Sequence, residues 1–472
     1  MSKKATYDVI IIGTGSAGFS AVEGALALGA SVCVIESGKL GGECPNYACV
    51  PSKALLKTAA LYRTAKQARE YGIELGNLSF DFEKLMRYRK HVVKTITGGG
   101  EYGDRYLSIL KKLGVDIKHG EGVFVDDHVV EVGGENLYGK AIVIATGTVD
   151  FIPPIPGLSD IHYWGWKEAI ESKRLPKSMA IIGAGPVGCE IATFYNTFGT
   201  RVTLLQAEDI VLPHEDREMS QLAQEGLLEQ GIDVRTGAIE KNIVNARGGI
   251  YGIHVERMGQ VETVAVEQIV VATGKRSNVQ KLELDHAGVQ VTKQGTLKTN
   301  KEQQTNVKHI FGAGDVDGGL QFTHTAHHEG YVAGYNAALS ALKKHSAKKK
   351  VDERVVPRVT FIDPEVASVG LTTSEAHVQH KELLVGRYEI RQLGRAATEN
   401  VHMGLIKIIV HPKTRKILGG HVIGASAGEL IHEIALSMYL NAPIDKLAGM
   451  IHAFPTYSEG IKAAASSLSV EM

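Results

Sequence analysis

Tyr7-Asp-Val-Ile-Ile-Ile12 followed at once by Gly13-Thr-Gly-Ser-Ala-Gly18 is the stretch on which the reading of this chain turns. A short β-branched apolar run that ends in glycine reads as a buried parallel strand. An Ala/Leu-rich helix to about Leu28 and a second strand, Ser31-Val-Cys-Val-Ile-Glu36, complete a strand-helix-strand unit. In such a unit the first glycine makes the tight turn and the second lets the backbone approach a pyrophosphate. The third lets helix pack on strand, with helix N-terminal amides facing the anion. Gly13, Gly15 and Gly18 are therefore candidate dinucleotide contacts, and Glu36 can accept from ribose hydroxyls.

The arrangement recurs. Met179-Ala-Ile-Ile182 leads into Gly183-Ala-Gly-Pro-Val-Gly188, a helix to about Phe198 and a strand Arg201-Val-Thr-Leu-Leu-Gln206. Gly13 to Glu36 and Gly183 to Gln206 both span 23 positions, so the match extends beyond the glycines. Two dinucleotide sites are indicated. The second carries Gly183, Gly185 and Gly188, with Gln206 in the place of the acid that bonds an NAD ribose. Gln206 has no charge to repel a 2′-phosphate, and no Arg or Lys follows until Arg217 to hold one. NADH is favoured, with dual use left open.

Ala145-Thr146-Gly147 and Ala272-Thr-Gly274 each end a strand in a permissive turn and read as returns between domains. The lysine-rich stretch from Leu342 to Arg354 reads as an exposed linker. Arg358 to Met472 has enough strands and helices for a further domain. The chain has 472 residues, suggesting about three domains of ordinary size. Lys plus Arg and Asp plus Glu both number 52, which gives nucleic acid no electrostatic support. The 53 glycines exceed the ~7% of average chains and fall in clusters. Four cysteines are too few for a secreted disulfide framework, and with no long apolar span the protein is expected to be soluble and cytoplasmic, away from membranes.

Between the first glycine turn and the first return lies Gly41-Gly-Glu-Cys-Pro-Asn-Tyr-Ala-Cys-Val-Pro-Ser-Lys53, with Cys44 and Cys49 five positions apart. A Cys-x4-Cys pair followed by Pro-Ser-Lys after a dinucleotide fingerprint resembles the flavin-dependent pyridine nucleotide-disulfide oxidoreductases, which include lipoamide dehydrogenase, glutathione reductase and mercuric reductase. The resemblance covers nearly the whole chain. It implies an α/β fold of two Rossmann-like dinucleotide-binding domains and an α+β C-terminal dimerisation domain. The FAD-binding domain would take residues 1–150 and 275–349, the NAD(P)-binding domain 151–274 and the interface domain 350–472, in a homodimer.

Residue by residue, the resemblance implies that Cys49 faces the flavin and Cys44 is the interchange thiol. Lys53 and Glu190 match the lysine-glutamate pair near the flavin. Phe311-Gly-Ala-Gly-Asp315 resembles the second flavin motif, with Asp315 on the ribityl chain and Thr323 opening a helix beneath the ring. Gly42, Gly122, Thr146, Gly147 and Gly274 fall on further cofactor contacts. A disulfide that receives electrons from a flavin must yield a stabilised thiolate, which a helix N-terminus and Lys53 both favour. Cys33 and Cys189 read as core. His324, His327 and His328 have helical spacing, yet no thiol is near and Glu329 points off their face, so helix packing beside the flavin is expected and no metal site.

The C-terminal motif departs from the family. Where lipoamide dehydrogenase and glutathione reductase place an acid-base His before Pro-Thr, this chain reads His452-Ala-Phe-Pro-Thr-Tyr-Ser-Glu459. Phe454 cannot exchange a proton. Glu459 remains without its usual partner, and His452 or Tyr457 could substitute, with interface packing the alternative for His452. Mercuric reductases lack that His as well, but they relay metal through a C-terminal cysteine pair, and here no cysteine follows Cys189. The expected function is electron transfer from NAD(P)H through FAD and the Cys44-Cys49 disulfide to a small disulfide, metal ion or quinone. Dihydrolipoamide dehydrogenase is the alternative enzyme; a flavin-holding redox sensor or interaction protein is the alternative of another class.

Overall fold

Strand Ala5–Ile12 is buried on both faces over Val9–Ile12, as a continuous apolar run in a parallel sheet must be. Because side chains alternate along a strand, Val9 and Ile11 enter one core and Ile10 and Ile12 the other. The computed structural model describes residues 5–246 and 248–472.

This strand is central to the first of two compact units, which comprises the chain to Ala54, Arg87–Phe151 and Gly274–Glu353. Its sheet runs Asp116–His119, Val32–Glu36, Ala5–Ile12, Glu135–Ile144, Val129–Val132, Val123–Asp126, and Ile310–Gly312 pairs with Glu135–Ile144. Pairing is parallel from Asp116–His119 to Glu135–Ile144 and on to Ile310–Gly312; the two outer strands form an antiparallel meander. On one face, helix Ser16–Leu26 packs against helix Thr323–Ala341. Their backbones approach so closely that a Cβ on Gly330 would lie 2.1 Å from the Ala17 carbonyl oxygen. The two expected returns meet in this unit: Thr148–Asp150 pairs antiparallel with Lys275–Ser277, and Thr146 Oγ1 donates to the Asn278 carbonyl at 2.8 Å. The lysine-rich stretch is exposed as expected, but buried Asn336 anchors it through two hydrogen bonds of 2.9 Å to the Lys349 backbone.

The second unit comprises Leu55–Met86, Ile152–Thr273 and Arg354–Met472. A five-stranded parallel sheet runs Asp233–Thr236, Arg201–Gln206, Ser178–Ile182, Gln268–Val271, Trp164–Gly165. A three-stranded antiparallel layer, Ile239–Ala246 to Gln260–Val266, covers one face with Ile243, Ile253 and Val264. The C-terminal part is a six-stranded antiparallel sheet whose core faces helices Ala427–Tyr439 and Glu459–Ser466 through Ile406, Val422, Ile431 and Ile461. Two Rossmann-like sheets and an α+β C-terminal domain are thus all present. No helix among the described residues is long and apolar enough to cross a membrane.

Candidate functional site

The two glycine turns are near copies of one another. Gly13 has φ +98° and donates its N–H to the Ile35 carbonyl at 2.8 Å; Gly183 has φ +102° and donates to Leu205 at 2.9 Å. A Cβ on Gly18 would lie 2.0 Å from the Gly13 carbonyl oxygen, and one on Gly188 1.9 Å from that of Gly183. This close approach is the reason for the third glycine. Gly15 and Gly185 cap their helices without a side chain, so the first helical amides stay available to an anion. The strand-end residues differ. Glu36 accepts from Thr14 N at 2.9 Å, Thr14 Oγ1 at 2.6 Å and Gly38 N at 2.8 Å. Gln206 is buried, and its side chain accepts from Ala184 N through Oε1 at 2.9 Å.

In the first unit, Gly42 at φ +70° lies against Gly15, where a Cβ would come within 2.5 Å of the Gly15 Cα. Asn46 clamps this turn, donating to the Leu40 and Gly42 carbonyls at 3.0 and 2.9 Å. Gly122 is buried against Ile12, Ile35 and Val130. Asp315 is held up from the usual carboxylate range, mainly by burial; Thr148 Oγ1 is 3.5 Å away and Lys275, itself paired with Glu43, is a neighbouring cation. Gly147 and Gly274 both adopt positive φ at the paired returns. This set of glycine turns, uncapped helix ends and a half-buried acid fits two dinucleotides.

Cys49 opens the Cys49–Gln67 helix, and Lys53 lies one turn further along it. Cys44 lies on the short Glu43–Asn46 helix and hydrogen-bonds Cys49. That bond pushes the Cys49 thiol down to about 6, with the Thr323 hydroxyl and the Lys53 ammonium adding to it and burial opposing. The same bond and burial push Cys44 up. Thr323 Oγ1 lies 3.6 Å from Cys49 Sγ. Cys33 and Cys189 are both buried.

In the second unit, Glu190 is buried and accepts the Phe361 N–H at 3.0 Å. Glu459 accepts the Thr456 N–H at 3.0 Å, closing its own turn. His452 faces inward: its side chain is 4% exposed and Nε2 lies 2.7 Å from Glu433 Oε1. Tyr457 is also committed, donating to Glu399 at 2.8 Å. Phe454 is 78% exposed. His324, His327 and His328 stay on an exposed helix face rather than in a packed one; His324 stacks on Phe322, and His328 Nε2 accepts the Asp352 N–H at 3.1 Å. Ligand-type atoms of Asp127, His128 and His309 come within 4.8 Å of one another, a cluster with no sequence signature. The two rings stack at 3.8 Å and 7°, each donating one N–H to a backbone carbonyl at 2.7 Å, which accounts for the cluster.

Residues 7–330 match the family described as pyridine nucleotide-disulphide oxidoreductase, and residues 356–465 match that family's dimerisation domain. The chain belongs to this family. Mercuric reductase of Staphylococcus aureus is 33% identical to it, over 97% of this chain and 82% of that protein. Dihydrolipoyl dehydrogenase of Bacillus subtilis (strain 168) is 33% identical, over 97% of each. The Cu(II) complex of the HOCl-induced flavoprotein disulfide reductase RclA from Escherichia coli superposes with a TM-score of 0.84 at 27% identity, covering 97% of this chain and 99% of that one. The pyridine nucleotide-disulphide oxidoreductase is accordingly a flavoprotein enzyme using FAD and NAD(P)H.

Sequence reading of this oxidoreductase missed Thr14, Asn46 and Glu433. Thr14 stands inside the glycine turn 22 positions before Glu36, a separation that Ala184 repeats with Gln206, so the repeat itself was the available signal. Nothing in sequence links Glu433 to His452.

Proposed function

We propose that this oxidoreductase, as a cytoplasmic homodimer, passes two electrons from NADH, and less readily NADPH, to an acceptor that needs no proton from the C-terminal motif. A soft metal ion is the first such acceptor, ahead of small disulfides and quinones. The observation that carries the reading is Phe454. The residue in the family's acid-base position cannot titrate, while His452 is held on Glu433 and Tyr457 on Glu399. A general acid-base group is worth about 10² to 10⁴-fold where a leaving thiol must be protonated. An acceptor that takes electrons without such a proton loses nothing by its absence. The similarity to proteins named mercuric reductase, and to a flavoprotein solved as a Cu(II) complex, supports the metal-ion class. The sequence carries no cysteine between Cys189 and Met472, so the reading does not route the metal through a C-terminal cysteine pair.

In this reading residues 1–150 and 275–349 hold FAD, 151–274 the nicotinamide and 350–472 the partner subunit. FAD, when bound, supplies two-electron transfer from the reduced nicotinamide to the cysteine pair. Gly13, Gly15, Gly18, Glu36 and Gly42 seat one dinucleotide, with Asp315, Gly122 and the Thr146-Gly147 and Gly274 turns around it. Gly183, Gly185, Gly188 and Gln206 seat the other. Arg217 is engaged in a two-point pair with Asp209, at 2.9 and 2.8 Å, which leaves it poorly placed for a 2′-phosphate. Two electrons and one proton break the Cys44-Cys49 S–S bond, leaving the charge on Cys49 and the proton on Cys44. Loss of two electrons to the acceptor and of that proton restores the bond. Lys53 and the helix N-terminus hold the charge on Cys49. Leu436, Tyr439, Leu440, Met450, Ile451 and Phe454 are exposed apolar side chains of the matched dimerisation domain, and they support a second copy of this chain as partner.

Anaerobic titration with NADH and NADPH tests the reading through the flavin spectrum. Wild type is expected to take up two electrons more than Cys44→Ser and to develop a long-wavelength thiolate-to-flavin charge-transfer band. Bleaching of the flavin alone, with equal uptake in the two proteins, overturns it.

A further inference from the structure

Glu43 puts a carboxylate beside a cradle built for an anion. It directly follows Gly42, which is pressed on Gly15 of the first glycine turn, and it opens the short helix that carries Cys44. A negative charge there opposes a pyrophosphate. It is answered by Lys275, whose Nζ donates to Glu43 Oε2. The Lys275 and Glu43 side chains are 25% and 44% exposed, so part of their attraction escapes screening by solvent. Lys275 is itself anchored. Its strand, Lys275–Ser277, pairs with Thr148–Asp150, and Ser277 Oγ donates to the carbonyl of Val316, the residue after Asp315, at 2.5 Å. Beyond burial, which pushes the Asp315 carboxyl up, its neighbouring charges include Lys275, which draws it down, and Glu43, which pushes it up. The ion pair therefore joins the cysteine-bearing segment to the strand that backs the second flavin motif, across 232 positions of sequence.

We infer that Glu43 and Lys275 are positioning residues for FAD: Lys275 ties the Cys44 segment to the strand beside Asp315 and cancels the Glu43 charge next to the pyrophosphate cradle, so that the pair retains the flavin. The inference rests on the reading above, in which Gly13, Gly15, Gly18, Gly42 and Asp315 seat FAD. It makes the two residues unequal. Without Glu43 only the tie is lost; without Lys275 the tie is lost and a carboxylate is left facing an anion.

The test follows release of FAD from the holoenzyme, through the rise of flavin fluorescence after dilution, at low and high salt. Glu43→Gln is expected to speed release about threefold, the worth of a partly exposed ion pair, and Lys275→Met about tenfold. Adding Glu43→Gln to Lys275→Met is expected to slow release again, to about the rate of Glu43→Gln alone, which a merely structural role for either residue would not produce. High salt is expected to bring all four rates to within about twofold of one another, because attraction and repulsion are both screened. Lys275→Arg, which keeps the charge, is expected to hold FAD like wild type. Release from Lys275→Met as slow as from wild type overturns the inference, and so does a double variant as fast as Lys275→Met. Should Lys275→Met purify without flavin, the double variant decides: recovered loading supports the pairing and an empty protein overturns it. Asp315→Ala in the same assay separates the pair from the reading beneath it. Release unmoved by Asp315→Ala counts against the cradle, whereas release sped by Asp315→Ala and unmoved by Lys275→Met counts against the pair alone.

Discussion

Glu329 is a buried carboxyl group with two others beside it, half-buried Asp317 and exposed Glu353. It is buried on the Thr323–Ala341 helix, its Oε2 accepts the Gly314 N–H at 2.5 Å, and burial first, then Asp317 and Glu353, push it up to about 9. A carboxyl whose value is raised on folding binds its proton more tightly in the fold. Its contribution to stability is full below the ordinary 4.5 and is lost progressively as pH rises towards 9. Glu329→Gln keeps an acceptor for the Gly314 N–H and does not titrate. The variant is expected to match wild type near pH 4.5 and to exceed its stability by more than ~1 kcal/mol at pH 8. Urea unfolding of both proteins across that range checks this; a difference that stays constant with pH would mean the group is ionised in the fold. Composition and spacing reveal that Glu329 leaves the histidine face of its helix, because that follows from the helical period alone. They do not reveal what it meets, since Gly314 and Glu353 arrive from other segments.

At the scale of elements, helix Arg217–Glu229 is joined to the C-terminal sheet through a buried cation. Lys407, on strand Leu405–Val410, is 2% exposed and donates to Asp216 at 2.8 Å and Glu218 at 2.6 Å. Asp216 caps the helix, and its second oxygen accepts from Thr373 N and Oγ1 at 2.9 and 2.8 Å. Burial works against its charge, but His421, Lys407 and these donors outweigh it and hold its carboxyl well below the usual range. The pairing therefore persists as pH falls through ordinary carboxylate values. Lys407→Met strands a buried carboxylate and is expected to cost about 3 to 5 kcal/mol. Adding Asp216→Asn, which keeps a capping oxygen without the charge, is expected to recover most of that loss. Denaturant unfolding of the single and double variants decides it: a double variant weaker than the single would show that the cap and the Thr373 contacts outweigh the stranded charge. This joint was not legible beforehand, because Lys407 and Asp216 lie 191 positions apart and each looks like a surface charge. The glycine turns were legible because strand, turn and helix are written within 30 residues, with the reasons for each glycine local to it. Asn336 shows the limit between the two cases: the exposed linker reads correctly from composition, yet the buried amide that pins it sits on another element.

Across the whole molecule, the most consequential position is a substitution that leaves the fold untouched. Phe454 is exposed beside Ile451, at 78% and 91%, on the domain matched to dimerisation, so its chemistry is exerted towards a partner and not within its own core. Glu459 accepts the Thr456 N–H through one oxygen, and by resemblance to the family it is the acid that would orient an imidazole at 454. Phe454→His restores a titratable group at the family's acid-base position and replaces neither His452 nor Glu433, which make their contact with each other. Turnover with dihydrolipoamide is expected to rise by at least about 10²-fold, the lower end of what a positioned acid-base group contributes. Metal-ion reduction, the activity proposed above, would draw no proton from this position and is expected to stay within about twofold. Steady-state assays of wild type and variant with both acceptors, at matched flavin content, check the pair of outcomes together. A variant that gains nothing with dihydrolipoamide would mean that the acceptor pocket differs from lipoamide dehydrogenase in more than its proton donor. A loss of metal-ion reduction in the same variant would mean that the phenyl ring itself contacts the acceptor, and that Phe454 is a binding residue as well as an omitted acid.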